Sequence, residues 1–119
     1  MKISEISKLL DAKLLCGEEH LKSEVVSACC SDMMSDVLAY VKDQGVLITG
    51  LVNSQVIRTA NMMDMICIVF VRGKKPTEEM VELAEECGIA VMCSEKRAFE
   101  ASGILYAAGL SRSAEGKHV

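Results

Sequence analysis

The sequence predicts a single α/β domain whose parallel sheet is covered by helices on both faces. Short, continuous apolar runs at residues 46–49, 65–71 and 89–93 have the length and composition of strands buried on both sides. Amphipathic segments with helix start and stop signals separate these runs, as in strand–helix–strand units. Because 119 residues leave room for one core, we predict one domain, over residues 1–110. Residues 111–119 are polar and lack periodicity, so we predict a flexible tail there.

Each predicted element follows from a local signal. Apolar residues recur every three or four positions along the helices. The inward stripe of the first helix includes Leu9, and that of the second includes Leu38 and Val41. Gly88 stands where a glycine ends a helix, and Ser94 stands where a serine opens one. In chain order we predict helix 4–11, strand 13–16, strand 25–30 (buried on both faces), a helix from 31 or 32 to 42, strand 46–49, helix 54–63, strand 65–71, helix 77–87, strand 89–93 and a helix from 94 to about 108.

Composition and charge narrow the class of function. The formal net charge is −4, and no basic stripe with interleaved aromatic residues occurs, so we expect neither nucleic-acid nor membrane-surface binding. No apolar run approaches the roughly 20 residues that a membrane-spanning helix needs. The N-terminus lacks the apolar run of a signal peptide, so we expect a cytoplasmic protein.

The six cysteines are predicted to be small buried hydrophobic residues in a reducing compartment. No C-x-x-C or Cys/His spacing occurs, and the adjacent Cys29 and Cys30 are expected on opposite faces of a strand. We therefore predict no metal site and no cofactor. A cysteine-based metal or redox site stays open as the alternative.

The sequence contains no convincing catalytic group. His20 lies in a polar connection and His118 in the tail, so neither is placed as a general base. Asp32 and Asp36 are one helical turn apart at a helix start, where capping is the usual role. Neither a nucleophile elbow, nor an H-E-x-x-H zinc motif, nor a G-x-x-x-x-G-K-[ST] phosphate loop occurs. We predict that the protein is not an enzyme and has no catalytic residues.

A binding site is predicted at the carboxyl edge of the sheet, where open α/β sheets bind ligands and where four loops should meet. Free backbone N–H groups at helix starts favour anions. Cationic side chains near a helix start oppose the helix dipole, so their presence there suggests that they serve a function. Solvated loop charges are the alternative interpretation. The candidate residues for a small anion or nucleotide are Thr49, Gly50, Asn53, Ser54, Arg58, Arg72, Gly73, Lys74, Ser94 and Arg97.

The last predicted helix suggests self-association. It carries a face of small residues that permits close helix packing, and a domain this small gains stability by burying another face. We therefore expect a homodimer. The small residues are Ala98, Ala101, Ser102, Ala107 and Ala108.

Residues 46–110 resemble the DRTGG domain family; they read VLITGLVNSQVIRTANMMDMICIVFVRGKKPTEEMVELAEECGIAVMCSEKRAFEASGILYAAGL. The N-terminal helix and strand and the segment VVSACCSDM extend the resemblance over nearly the whole chain. Members of the family occur alone, beside CBS domains in some pyrophosphatases, and in phosphotransacetylase-type proteins. Their fold is similar to the N-terminal domains of HPr kinase and the Mur ligases. The resemblance implies a three-layer α/β/α sandwich with a mostly parallel sheet, commonly dimeric and without established catalytic activity.

This chain departs from the family motif in two loops. Residues 52–54 (VNS) stand where the Asp-Arg pair is expected, and residues 71–73 (VRG) stand where Thr-Gly-Gly is expected. Stand-alone members with such changes come from anaerobic, Clostridium-like bacteria and are often encoded near hydrogenase-type iron–sulfur proteins. The resemblance implies a non-catalytic regulatory or ligand-sensing module. The alternative is a protein-interaction module for a redox enzyme, with no small ligand.

Overall fold

The computed structural model describes residues 1–40 and 45–110. The predicted end of the second helix at residue 42, with Val41 facing inward, and the predicted tail at residues 111–119 lie outside the described residues. Within the described residues the elements are α1 (Ile3–Leu9), β1 (Lys13–Cys16), a 3₁₀ turn (Glu18–His20), β2 (Ser27–Cys30), α2 (Met34–Tyr40), β3 (Gly45–Thr49), α3 (Ser54–Met62), β4 (Cys67–Phe70), α4 (Glu78–Cys87), β5 (Ala90–Cys93) and α5 (Ala98–Ala107).

The strands form one mixed sheet in the order β1-β5-β4-β3-β2. Strands β2 to β5 are parallel neighbours in chain order, and β1 pairs with β5 in the antiparallel direction. The predicted, mostly parallel α/β sheet is therefore confirmed. The prediction that strand 25–30 is buried on both faces is wrong. β2 is an edge strand, so Val26 just before it is 49% exposed and Cys30 at its end is exposed.

Helices cover both faces of the sheet, as the continuous apolar strands predict. Side chains alternate along β3: Val46 and Ile48 face the layer of α1 and α5, whereas Leu47 faces the layer of α2, α3 and α4. The same alternation in β4 and β5 completes two separate hydrophobic clusters, one on each face. The three-layer α/β/α sandwich is therefore confirmed.

Two residues that were expected to face inward lie beside the core. Leu9 is 39% exposed and Leu38 is 41% exposed. Each is one position away from a fully buried neighbour, Leu10 and Val37 respectively. One position rotates a side chain by about 100° around the helix axis, which turns it out of the core-facing stripe.

The last helix starts four residues later than predicted, at Ala98 with Arg97 in the capping position. Ser94 does not open this helix. Its hydroxyl donates to the carbonyl oxygen of Leu10 at 2.7 Å and accepts from the amide of Lys96 at 3.2 Å. These bonds tie the loop after β5 to the end of α1, which a local capping signal does not reveal. The helix stop at Gly88 is confirmed, since this residue closes α4 in the left-handed conformation with φ of 73°.

Candidate functional site

The loops that follow β2, β3, β4 and β5 leave the sheet at one edge, because these four strands are parallel. Backbone hydrogen bonds extend the ladder into the loops. The amide of Ser31 donates to Ile48, that of Val71 to Thr49 and that of Ser94 to Phe70. The edge is therefore a rigid platform for the side chains that follow each strand.

Asp32 follows the outermost strand, β2, and its side chain reaches the loop after β3. One carboxylate oxygen accepts from the Thr49 hydroxyl at 2.9 Å and from the Gly50 amide at 2.8 Å. The Gly50 bond, together with the Thr49 bond and the Arg72 charge, holds the pKa of Asp32 below its ordinary value of 3.8, although partial burial opposes this. The charged carboxylate therefore fastens the loop after β2 to the loop after β3.

Arg72 completes the cluster from β4. Its Nη2 atom is 4.0 Å from the second carboxylate oxygen of Asp32, and both side chains are about half exposed. The guanidinium lies against Gly50, at a place where any Cβ would collide with it. Arg72 also has a positive φ of 59°, a left-handed conformation that is strained for a residue with a side chain. Strain of this kind often accompanies function.

The loop after β4 is held by the loop after β5. The amide of Arg72 donates to Lys96 at 2.8 Å, and the amide of Gly73 donates to Ser94 at 3.0 Å. The Glu95 carboxylate lies over Gly73, whose φ is 69°. Since these two amides already have partners, Arg72 and Gly73 can offer a ligand the Arg72 side chain but not their N–H groups.

The remaining predicted residues divide into two groups. Ser54 and Arg58 line a groove between α3 and α4 that also contains carboxylates, so the structure surrounds this arginine with negative charge. The Asn53 side chain caps α3 by accepting from the Val56 amide at 3.3 Å. Lys74 and Arg97 are exposed at the edge. The carboxylates of the groove belong to Glu79, Glu82 and Glu86.

Sequence reasoning placed Asp32 at the edge but assigned it only a capping role. One signal was available: an aspartate stands two residues after one strand, while a Thr-Gly pair stands at the end of its neighbour. Parallel pairing brings these positions together, and a carboxylate readily accepts from a free amide and a hydroxyl.

A sequence profile described as the DRTGG domain matches residues 5–108. This chain belongs to the DRTGG domain family. Among solved structures, the DRTGG chain is similar to the CBS and DRTGG domains of the regulatory region of Clostridium perfringens pyrophosphatase. The TM-score is 0.70 and the sequence identity 18%, over 87% of this chain and 45% of that one. The DRTGG chain thus spans less than half the length of that regulatory region. No curated protein matches the sequence.

The left-handed backbone at residues 72 and 73 gives a physical reason for glycines in the DRTGG motif. Arg72 and Gly73 have φ values of 59° and 69°. These are the positions that the resemblance assigns to the two motif glycines, which adopt this conformation without strain. This DRTGG chain has left-handed backbone at both positions and carries a guanidinium group at the first of them.

No helix in the part of the DRTGG chain that the structure describes is long and apolar enough to cross a membrane.

The cysteines of the DRTGG domain are dispersed over the sheet and helices. Cys16 and Cys67 are buried, Cys29 packs in the α2–α4 layer, and Cys30 is exposed beside α5, so the neighbouring pair faces opposite sides as predicted. The prediction that all six are buried holds for Cys16 and Cys67 only. Cys29, Cys87 and Cys93 are partly buried, and Cys30 is exposed because β2 is at the sheet edge. Among the described residues no group of three or more His, Cys, Asp or Glu side chains is placed to hold a metal ion.

Thiol labelling should distinguish Cys30 from Cys67. Full burial raises the pKa of Cys67 to about 12, so it has almost no reactive thiolate at pH 8, and reagents cannot reach it. We expect iodoacetamide to modify Cys30 within minutes and Cys67 only in the presence of denaturant, as read by peptide mass spectrometry. Equal labelling rates of the two thiols in the native protein would contradict this placement.

Proposed function

We propose that this DRTGG domain is a non-catalytic regulatory module that binds a nucleotide or another small phosphate-bearing anion at the carboxyl edge. The observation that carries the proposal is Arg72. Its backbone is strained, its guanidinium is half exposed, and its ion pair with Asp32 is long at 4.0 Å. A loosely paired guanidinium can turn to a phosphate, with which it forms short, bidentate hydrogen bonds.

The charges around Arg72 support an anionic ligand. Lys74 and Arg97 are exposed on the neighbouring loops, and nothing in the described residues caps the first amides of α5 with a side chain. The edge therefore offers positive charge from the loops after both β4 and β5. In the pyrophosphatase of similar fold, the regulatory region was solved in complex with its activator, diadenosine tetraphosphate. Nucleotides are accordingly the first ligands to test.

The position of the described histidine supports a non-catalytic role. His20 lies near Gly88, which ends α4 just before β5 begins, so it is on the opposite edge of the sheet. His118 lies outside the described residues. The candidate site thus combines the cations of Arg72, Lys74 and Arg97 with the hydrogen-bonded carboxylate of Asp32, and Glu95 lies over Gly73 beside them. An arrangement without a histidine suits binding better than proton transfer.

Replacing Arg72 with alanine should remove the response to ligand. We expect ATP, ADP or diadenosine tetraphosphate at millimolar concentration to raise the melting temperature of the wild type, and Arg72→Ala to weaken binding about tenfold to a hundredfold. A charge-assisted hydrogen bond is worth about 1.5–3 kcal/mol, which corresponds to that range. Differential scanning fluorimetry and calorimetric titration measure the two effects.

Two further variants define the site. Lys22→Ala removes one positive charge next to the start of α1, away from the edge, and is expected to leave the response unchanged. Arg58→Ala tests the groove between α3 and α4, where we expect a much smaller loss than for Arg72→Ala. The absence of any response to these nucleotides or to inorganic phosphate in the wild type would refute the proposed function.

A second candidate function is a protein-interaction module for a redox-enzyme partner, without a small ligand. Met33 and Met62 favour it because they are 61% and 68% exposed, and methionine side chains form adaptable contacts. The two functions differ in one requirement. An interaction module needs no nucleotide response, and its partner should bind the Arg72→Ala variant as well as the wild type.

A further inference from the structure

The two edge strands of the sheet differ in their protection against pairing with another strand. β1 carries the exposed Lys13 and a bulge between Leu14 and Cys16. Charges and bulges are devices by which proteins prevent strand addition at an edge. β2, at the other edge, pairs with β3 without a register shift. Residues 25–30 (VVSACC) contain neither a charge nor a proline, so the β2 edge lacks the protection that β1 has.

The outward side of β2 carries backbone groups to which another strand can bond. The amide of Ser31 donates to the carbonyl oxygen of Ile48 at 3.1 Å, which fixes the direction of alternate residues in the parallel ladder. Cys29 also points to β3, so the N–H and C=O groups of Ala28 and Cys30 point away from it. No described residue forms a hydrogen bond with these outward groups. An extended backbone is the partner that fits them, because its N–H and C=O groups recur at the same spacing.

A cavity adjoins the β2 edge between the sheet and α5. Its volume is about 110 Å³, and its lining includes Ala28 and Cys30 of β2 and Leu105 and Tyr106 of α5. An apolar cavity of about 150 Å³ holds a benzene molecule, so this one has room for a branched aliphatic side chain. A strand paired with β2 places every second side chain on this face of the sheet. One of its side chains can therefore enter the cavity while the backbone bonds form.

Exposed carboxylates flank β2, whereas the strand itself is uncharged. Glu24 stands three residues before β2, and its side chain is 61% exposed although it pairs with the amino group of Met1 at 2.8 Å. Asp36 on α2 is exposed as well. Burial raises the pKa of the Cys29 thiol, and the nearby Asp36 charge raises it further. A segment of complementary charge is therefore uncharged opposite β2 and carries a lysine or arginine at an end.

We propose that the β2 edge binds an extended segment of another protein, which lengthens the sheet by one strand and inserts an aliphatic side chain into the cavity. The segment alternates aliphatic with small polar side chains and has a basic residue at an end. Backbone bonds to Ala28 and Cys30 provide affinity, and the cavity provides specificity, as in strand addition elsewhere. The proposal does not rest on the nucleotide site, because it uses none of the side chains that would hold the anion.

Peptide display tests the proposal. Random peptides of about ten residues, the upper length of most strands, are selected on phage against the full chain. We expect the enriched sequences to have aliphatic residues at alternate positions and lysine or arginine at an end. When such a peptide binds, the amides of Ala28 and Cys30 should exchange with deuterium more slowly, as read by nuclear magnetic resonance. The amide of Cys29, which donates to β3, should exchange slowly in both states.

Two variants block the β2 edge without disturbing the core. Ala28→Pro removes only an outward N–H group, and proline is tolerated in an edge strand where its nitrogen faces solvent. Cys30→Lys introduces, at an exposed position, the kind of charge that protects β1. Each is expected to weaken binding of the selected peptides about tenfold. Met62→Lys is the control for the added charge and should bind as the wild type does, because Met62 is exposed and apolar but lies on α3 in the opposite layer.

Circular dichroism checks that the variants fold, and Cys30→Lys should do so because its side chain lies outside the core. Selection without an alternating pattern overturns the proposal. So does a Cys30→Lys variant that binds the selected peptides as tightly as the wild type, or a complex in which the Ala28 and Cys30 amides are not protected. Light scattering tests another occupant. A wild-type mass of twice 12.9 kDa that Cys30→Lys reduces to that of one chain would show that β2 pairs with a second copy instead.

Discussion

Replacing Gly17 with alanine is expected to lower the free energy of unfolding by about 3 kcal/mol. Gly17 links β1 to the 3₁₀ turn with a φ of 91°, and left-handed backbone costs a non-glycine residue about 1–2 kcal/mol. The new Cβ would also be only 2.5 Å from the Cα and 2.7 Å from the Cβ of Ala90. Ala90 is buried in β5, which is paired on both sides, so its backbone cannot retreat and overpacking adds about 1–3 kcal/mol.

Gly88→Ala is the matched control for this substitution. Gly88 is also left-handed, with a φ of 73°, but the nearest atom to its Cβ would be His20 Nε2 at 3.9 Å. Gly88→Ala introduces backbone strain but no close contact, so we expect its free energy of unfolding to fall by about 1 kcal/mol. Urea denaturation measures both values, and an unchanged dependence on urea shows that the variants unfold as the wild type does. Equal losses for the two glycines would show that contact with Ala90 does not matter.

Replacing Asp32 with alanine is expected to cost about 2 kcal/mol at pH 7, a large effect for a side chain that is more than half exposed. The carboxylate holds the Gly50 amide and the buried Thr49 hydroxyl, and a hydrogen bond to a charged group contributes about 1.5–3 kcal/mol. Because the carboxylate is partly exposed to solvent, the two hydrogen bonds together contribute less than the sum of their separate values. Asp32→Asn keeps an acceptor oxygen, so its free energy of unfolding should fall by less than about 1 kcal/mol. If the two variants lost equally, the charge and not the hydrogen bonds would be responsible.

The stability contributed by Asp32 should depend on pH with a definite sign. Its folded pKa lies below the ordinary value of 3.8, chiefly because of the Gly50 amide. The native state therefore binds the proton less readily than the unfolded state, and the contribution is complete above that value. It is lost as the pH falls through the folded pKa. Urea denaturation at pH 7 and at about pH 3 should show the gap between wild type and Asp32→Asn narrowing at the lower pH; a constant gap would contradict this assignment.

Asp32→Asn also separates the fold from the proposed function. Without the carboxylate, the Arg72 guanidinium loses its ion-pair partner but keeps its place against Gly50. If the edge binds a phosphate-bearing ligand, its affinity for this variant should rise severalfold, while stability falls slightly.

Most of the fold was predictable because its signals are local. Apolar runs and helical stripes identified the strands and helices of the sandwich, and parallel pairing then predicted the edge where loops gather. The predicted start of α5 was wrong because the Ser94 hydroxyl donates to the carbonyl oxygen of Leu10, 84 residues away, and does not cap the helix. The predicted burial of β2 on both faces was wrong because the sequence of a strand does not indicate its position in the sheet. β2 is at the edge, which exposes Val26 and Cys30.

The candidate site was predictable as a place but not as an arrangement of side chains. Thr49, Gly50 and Arg72 were expected at the edge and do converge there. Asp32, which joins them, was interpreted as a cap, and Arg58, one turn into α3, faces the carboxylates of α4. Several partners compete for each polar group at such an edge, and the choice depends on distances between strands that a linear pattern does not contain.

The sequence by itself determined the alternation of strands and helices, the burial of the sheet on both faces and the edge at which its loops meet. These follow from side-chain periodicity over a few neighbouring residues. The tertiary structure alone decided which groups touch: Asp32 with Gly50 and Thr49, Ser94 with Leu10, and Gly17 with Ala90. It also decided which side of α5 stays open. These features depend on strand register and on the rotation of each helix against the sheet, which are set only when distant segments pack together.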